Sequence, residues 1–167
     1  MTTLAFQDFY PDEISHCYGC GKNNPEGHQL KSYWFEDTNH LDGKCLKTIA
    51  HFTPDVKYTA IPGFVYGGLI ASLIDCHGTG SAAAMAYHNE KRPMDSSPAL
   101  RFVTGALNVS YLAPTPQNKE LTLIGTFTEI KARKIIVNIS LLADNVECAR
   151  GEVIAVLMPD SMLPKSS

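Results

Sequence analysis

The most apolar stretch of the chain runs from Gly67 to about Tyr87 and shows no polar stripe. It contains no proline, few β-branched residues and many alanines, which is typical of a helix. A helix that is apolar on all sides lies either in a bilayer or inside a protein. Asp75 and His77 stand in the middle of this one, and an Asp at a bilayer centre costs about 2.5–3.5 kcal/mol on insertion scales. We therefore predict a buried helix.

Alternating apolar and polar positions predict strands on both sides of this helix. The predicted strands are Leu30–Glu36 and Lys44–Phe52 before it, and Leu100–Leu112, Leu121–Ile130, Ile135–Ala143 and Val146–Met158 after it. The Asp42-Gly43 pair favours a tight hairpin turn between the first two. Because short connections make antiparallel neighbours, the pattern predicts an α+β fold. In it, an antiparallel sheet of five to six strands wraps around one long central helix. Its open sheet edges and half-covered outer face predict dimerisation.

No linker, repeat or charge block divides the 167 residues, and this length is typical of one domain. We predict a turn-rich N-terminal segment over residues 1–29 that packs on the domain. The domain itself is predicted to span residues 30–160, and a C-terminal tail to span residues 161–167.

Charge and cysteine content narrow the classes of function. With 14 basic and 17 acidic side chains the net charge is −3, whereas nucleic-acid-binding domains are usually basic. The five cysteines cannot all pair, which is typical of reduced thiols in a cytosolic protein. The first residues, MTTLAFQDFYPDEIS, lack the basic and apolar regions of a secretory signal. We predict a cytoplasmic protein without nucleic-acid or membrane partners.

Asp75 is the most informative residue because burial of a carboxylate is costly unless it is paired, solvated by a cleft or used in chemistry. The sequence leaves open whether Asp75 is functional or hydrogen-bonded to a neighbouring strand. Gly67 and Gly68 begin the same helix, where free N–H groups and the helix dipole suit an anion or an oxyanion. Gly68 and Asp75 are seven residues apart and so share one helix face, about 10 Å apart along the axis. A glycine pair can also serve only to bring the helix close to a strand.

The segment HCYGC and the downstream His28 contain four side chains of zinc-ligand type: His16, Cys17, Cys20 and His28. The two histidines lack the spacing of a second ligand pair in a zinc site, so we favour a glycine-rich turn and assign no metal. Cys76 and His77 are consecutive on the helix and point about 100° apart, which excludes a thiolate–imidazole dyad.

Four stretches resemble the PaaI-type hotdog-fold acyl-CoA thioesterases. GFVYGGLIASLID is similar to the helix motif G-x-x-H-G-G followed by an acidic residue seven positions after the second glycine. CYGCGKNNPEGHQLKSYW, ALNVSYLAPTP and KARKIIV resemble the family's segment before the first strand, its N-x-x-Y-x-x-P strand and its G-R-K turn. Together these stretches span residues 17–137, and the topology predicted above is that of the hotdog fold.

The resemblance implies hydrolysis of an acyl-CoA thioester in a cleft between two protomers, without a cofactor. Asp75 would be the general base or the nucleophile, and the Gly68 N–H would stabilise the oxyanion. Thr104 would supply a hydroxyl from the partner chain that helps to hold the attacking water. The implied assembly is a homodimer, or a dimer of dimers.

The resemblance also implies substrate contacts at Tyr66 and Gly67, and CoA phosphates near Arg133 and Lys134. Tyr66 replaces the usual histidine of the motif, although its phenol can still donate a hydrogen bond. This replacement keeps open an alternative function, a non-catalytic acyl-CoA-binding hotdog protein that acts as a sensor or carrier. A hotdog hydratase ranks last, because His77 faces away from Asp75.

Overall fold

The computed structural model describes residues 3–35 and 46–164 of the chain. Its regular elements are β1 (Ser32–Phe35), β2 (Lys47–Phe52), α1 (Gly67–Asn89), β3 (Phe102–Tyr111), β4 (Leu121–Lys131), β5 (Lys134–Ala143) and β6 (Val146–Leu157). The predicted order of elements is confirmed. β1 begins at Ser32 rather than Leu30, and β3 spans Phe102–Tyr111 rather than Leu100–Leu112. The predicted turn at Asp42-Gly43 lies outside the described residues.

All six strands form one sheet in the order β1-β2-β4-β5-β6-β3, and every neighbouring pair is antiparallel. The sheet therefore has two edges, β1 and β3. Its inner face packs on α1, which has 23 residues and is about 35 Å long at 1.5 Å per residue. Within residues 3–35 and 46–164, no helix combines the length and the hydropathy needed to cross a membrane.

The core lies between α1 and the middle of the sheet. Along β5, buried and half-exposed residues alternate without interruption, and the buried ones are Ile135, Val137, Ile139, Leu141 and Ala143. Every residue of α1 from Cys76 to Tyr87 is buried, which explains why this half of the helix has no polar stripe. Gly78 lies so close to Val153 of β6 that a Cβ atom there would come within 2.5 Å of the valine side chain. Glycine is therefore the residue that fits at this crossing of helix and sheet.

The edge strand β3 differs from the rest of the sheet because its middle is exposed. Five successive residues, from Thr104 to Asn108, are exposed to solvent. Among residues 3–35 and 46–164 the strand has one neighbour, β6, and its register shifts between Thr104 and Ala106. An edge with free backbone groups and exposed side chains can pair with another strand.

The N-terminal segment lies against the start of the sheet through two short 3-10 turns, Phe6–Phe9 and Asp12–Ile14. Gln7 is fully buried and makes two hydrogen bonds to Ser32 of β1. Its Nε2 donates to Ser32 Oγ at 3.1 Å, and its Oε1 accepts from the Ser32 N–H at 2.8 Å. The ring of Phe6 also meets the Trp34 ring edge-on, with 5.3 Å between the ring centroids.

Candidate active site

The start of α1 is open and glycine-rich. Tyr66 precedes the helix with an extended backbone, and no side chain in the described part of the chain caps the first turn. Gly68 is exposed, and a Cβ atom there would lie 2.4 Å from the Tyr66 ring. The glycine is therefore needed for the close approach of this ring to the helix. The uncapped N–H groups of the first turn remain suited to an anion or an oxyanion.

The carbonyl oxygen of Gly67 accepts a hydrogen bond of 2.8 Å from the Tyr111 hydroxyl at the end of β3. This contact ties the first residue of α1 to the edge strand. A cavity of about 350 Å³ lies beside it, lined by Phe64, Val65, Gly67, Ile70, Tyr111, Leu112, Ala113, Pro114 and Thr115. The start of the helix thus borders a partly apolar space large enough for part of a ligand.

Asp75 lies two turns further along α1 and is half-buried. The Thr104 hydroxyl of β3 donates a hydrogen bond to its Oδ1. Burial raises the pKa of the Asp75 carboxyl above the usual value of 3.8, although the hydrogen bond from Thr104 opposes this shift. A carboxylate that burial makes more basic is better able to take up a proton from water.

The contact between Thr104 and Asp75 forms within one chain, whereas the family resemblance implied a hydroxyl from the partner. The reason is the sheet topology: β3 follows the helix, returns along it as the edge strand, and so presents Thr104 to Asp75. Hence the two residues meet without a second protomer.

The structure places the two predicted basic residues differently. Arg133 is exposed in the turn between β4 and β5, while Lys134 forms an ion pair of 2.8 Å with Glu129. The strand register aligns Ile135 with Ala155, and Ala155 with Thr104. At about 4.8 Å per strand, this turn lies on the order of 10 Å from the Thr104 position. Of the two side chains, Arg133 is therefore the more exposed.

The cysteine motif forms a cluster with a third cysteine, Cys76, which no sequence motif connects to it. The sulfur atoms of Cys17, Cys20 and Cys76 all lie within 4.8 Å of one another. Hydrogen bonds from Cys20 first, and then from Cys76, hold the pKa of the Cys17 thiol far below its usual value of 9.0. The same contact with Cys17 raises the pKa of the Cys20 thiol to about 11.

The two histidines near the cysteine motif do not belong to this cluster of ligand atoms. The His28 ring lies among aromatic rings, and its Nδ1 is 3.0 Å from the Tyr58 hydroxyl. His16 and His28 were candidate ligands only because they are close to the cysteines in sequence. The third sulfur instead comes from Cys76 on α1, 59 positions after Cys17. The only sequence signal for Cys76 was its place beside Asp75 in the central helix.

His77 belongs to a buried polar network on the other side of α1. Its Nδ1 is 2.9 Å from Ser32 Oγ, and its Nε2 is 3.3 Å from Thr48 Oγ1. Thr48 Oγ1 also lies 2.6 Å from Ser81 Oγ. Burial lowers the pKa of His77 to about 3, so the ring is neutral. Cys76 and His77 therefore contact different neighbours, as predicted.

Comparison with known proteins identifies the family. The thioesterase superfamily matches residues 62–149 of the chain. A solved thioesterase superfamily protein from Shewanella loihica is 50% identical over 90% of this chain and all of its own, with a TM-score of 0.63. No curated protein matches the chain.

More distant solved structures share the fold. The PaaI protein of the phenylacetic acid degradation operon of E. coli is 13% identical, covers 68% of this chain and 73% of its own, and has a TM-score of 0.56. A thioesterase from Haemophilus influenzae is 14% identical, covers 78% of this chain and 79% of its own, and has a TM-score of 0.59. The fold and the family that the motifs implied are confirmed: the chain is a member of the thioesterase superfamily with the hotdog fold.

Proposed function

We propose that the chain hydrolyses the thioester of an acyl-CoA to a free acid and CoA, with Asp75 as the general base. The observation that carries this proposal is the placement of Asp75 on α1. It is half-buried and receives a hydrogen bond from Thr104. It also lies seven residues after Gly68, which is in the first turn of the helix. Membership of the thioesterase superfamily supports thioester hydrolysis as the reaction class.

The proposed reaction begins when the thioester oxygen accepts a hydrogen bond from the Gly68 N–H. Asp75 takes a proton from water as the water oxygen forms a bond to the carbonyl carbon, and the carbonyl electron pair moves to the oxygen. When this oxyanion collapses, the C–S bond breaks and the thiolate of CoA receives the proton from Asp75. A well-placed oxyanion donor contributes about 3–4 kcal/mol to catalysis.

The contact with Thr104 favours Asp75 as a general base over direct attack of its carboxylate on the thioester. The hydroxyl occupies Oδ1 and leaves Oδ2 to accept the proton of a water. It also holds the carboxylate in one orientation, which proton transfer requires.

Substrate binding is proposed at the two flanks of this site. The acyl group would enter beside Gly67 and Tyr66. There the exposed Tyr66 ring is stacked on the Tyr58 ring, with 6.4 Å between the ring centroids. The CoA phosphates would lie at the exposed Arg133, with Lys134 a secondary contact because Glu129 already pairs with it.

A homodimer is proposed along the edge of β3. This strand exposes its middle and carries apolar side chains toward its end: Leu107, Tyr111 and the following Leu112 are 36%, 55% and 51% exposed. Edge strands with exposed apolar side chains are suited to pairing. Two copies joined there would enclose the surface beside Asp75 and form a cleft.

The test is hydrolysis of acyl-CoAs of several chain lengths by the unmodified protein and by Asp75→Asn. We expect the substitution to lower kcat about 100- to 10,000-fold, the contribution typical of a positioned general base. Acyl-CoA binding should be retained because the side chain keeps its shape. The matched control is Asp144→Asn, which removes a carboxylate that is paired with Lys119 at the other end of the sheet.

Two results would contradict the proposal. Turnover that survives Asp75→Asn at the level of the control would show that Asp75 is not the base. Tight acyl-CoA binding without turnover in the unmodified protein would identify the chain as the non-catalytic sensor or carrier instead.

A further inference from the structure

The cysteine cluster stands beside the proposed active site but takes no part in the proposed reaction. Cys17 and Cys20 lie in the loop of the N-terminal segment, and Cys76 directly follows Asp75 on α1. Cys17 Sγ and Cys76 Sγ are 3.8 Å apart, and all three sulfurs lie within 4.8 Å of one another. Three sulfurs from two distant parts of the chain therefore converge on one point.

The loop is shaped around the helix sulfur. A Cβ atom at Gly19 would lie 2.1 Å from Cys76 Sγ, so only glycine lets the loop close over this side chain. The Gly21 N–H donates to the Cys17 carbonyl oxygen at 2.7 Å, and a Cβ atom at Gly21 would lie 2.5 Å from the Cys17 nitrogen. The two glycines of the motif are thus needed to hold Cys17 and Cys20 against Cys76.

We propose that Cys17, Cys20 and Cys76 bind one thiophilic divalent cation of the zinc type, with solvent in the fourth position. In a tetrahedral site with Zn–S bonds of about 2.3 Å, two sulfurs lie about 3.8 Å apart. Cys17 and Cys76 already have this separation, and the third sulfur needs to move by less than about 1 Å. The C-x-x-C spacing is the one that structural zinc sites use.

The surroundings suit such an ion. Cys17 is exposed, which leaves one side of the cluster open to solvent, while Cys20 and Cys76 are buried. The Arg101 side chain lies over the Tyr10 ring, with 4.2 Å from its Cζ to the ring centroid, and acts electrostatically on all three sulfurs. Its Nη1 is buried and has no hydrogen-bond partner among the described residues. This positive charge offsets the net negative charge of three thiolates around a divalent ion.

The ion would link the N-terminal segment to α1 at the residue next to Asp75. It therefore has a structural role that differs from catalysis, and its test does not depend on the proposed reaction. A metal that ties a loop to a helix stabilises the folded chain, because the unfolded chain does not hold the three ligands together.

The experiment uses the full chain, reduced, freed of metal and kept anaerobic, and titrates it with Co²⁺ and then Zn²⁺. We expect one equivalent of Co²⁺ per chain, with a sulfur-to-cobalt charge-transfer band in the near ultraviolet and visible bands typical of tetrahedral cobalt. Zn²⁺ should abolish these bands and raise the thermal midpoint. Cys17→Ser, a change at an exposed position, should lose the charge-transfer band while the circular dichroism spectrum is unchanged.

The matched control is Cys148→Ser, because Cys148 is a buried free cysteine outside the cluster, next to Pro114 and Val146. It should bind one equivalent, like the unmodified protein. The proposal is wrong if reduced protein with all its thiols free binds no cobalt, or if Cys17→Ser binds as much as the control. It is also wrong if a Cys17–Cys20 or Cys17–Cys76 disulfide is what the protein forms when it is isolated with zinc present.

Discussion

Two polar regions of α1 lie less than one turn apart and differ in their exposure to solvent. The open start of the helix, from Gly67 to Asp75, is partly exposed, and the Asp75 carboxylate accepts a hydrogen bond from the exposed Thr104. The His77 network, consisting of Gln7, Ser32, Thr48, His77 and Ser81, is fully buried. Both ring nitrogens of His77 have partners there.

The difference shows how one apolar helix can carry both a reactive group and a structural one. A buried polar group with all its partners contributes to the stability of a single arrangement. A half-buried carboxylate with one partner costs free energy, and this cost is tolerated where the group is used. The two regions should therefore respond in opposite ways to substitution.

The largest expected effect on stability comes from His77→Leu. It leaves Ser32 and Thr48 each short of one buried hydrogen-bond partner, so we expect the free energy of unfolding to fall by about 2 kcal/mol. Urea unfolding measures this value. Turnover per folded molecule should change little, because neither Asp75 nor Thr104 contacts the network.

His77→Gln is the matched control for this variant, since its amide can restore one of the two contacts and should lose less stability. Asp75→Asn should behave in the opposite way: turnover should fall, while the free energy of unfolding should stay the same or rise. A His77→Leu protein that keeps full stability but loses turnover would remove the distinction between the two regions.

A smaller effect is expected from Thr104→Val, which removes the hydroxyl and keeps the shape of the side chain. A hydrogen bond to a charged group contributes about 1.5–3 kcal/mol, and the exposed position favours the lower end, so kcat should fall about tenfold. Steady-state hydrolysis gives the value, and Thr104→Ser should retain the rate. If Thr104→Val matched the unmodified enzyme, the hydroxyl would have no role in orienting Asp75.

The smallest effect is expected from Arg133→Gln. An exposed charge contributes about 0.2–1 kcal/mol, so the KM for an acyl-CoA should rise roughly two- to fivefold, and less at high salt. The KM for an acyl thioester of N-acetylcysteamine, which has no phosphates, should stay the same. Arg150→Gln, at a position paired with Glu147, serves as the control. An equal rise for both thioesters would place the phosphates elsewhere.

Much of the candidate site could be predicted because it depends on short spacings within one element. Gly68 and Asp75 share a face of α1 through helix geometry alone. The contact of Thr104 with Asp75 of the same chain could not be predicted, since it depends on which strand occupies the sheet edge. Lys134 was assigned to phosphate binding with Arg133, yet its ion pair with Glu129 across the turn makes it the weaker candidate.

The sequence by itself determined the helix, the order of the strands along the chain and the family, because local periodicity and short motifs carry this information. The tertiary structure decided that β2 pairs with β4 and that β3 lies at the sheet edge beside β6. Only the tertiary structure decided that Cys76 joins Cys17 and Cys20, and that Thr104 reaches Asp75 within one chain. It also placed His77 in a sealed network with Ser32 and Thr48. Each of these contacts joins residues 29 to 59 positions apart, and such pairings follow from the packing of the whole sheet on α1, which no local pattern encodes.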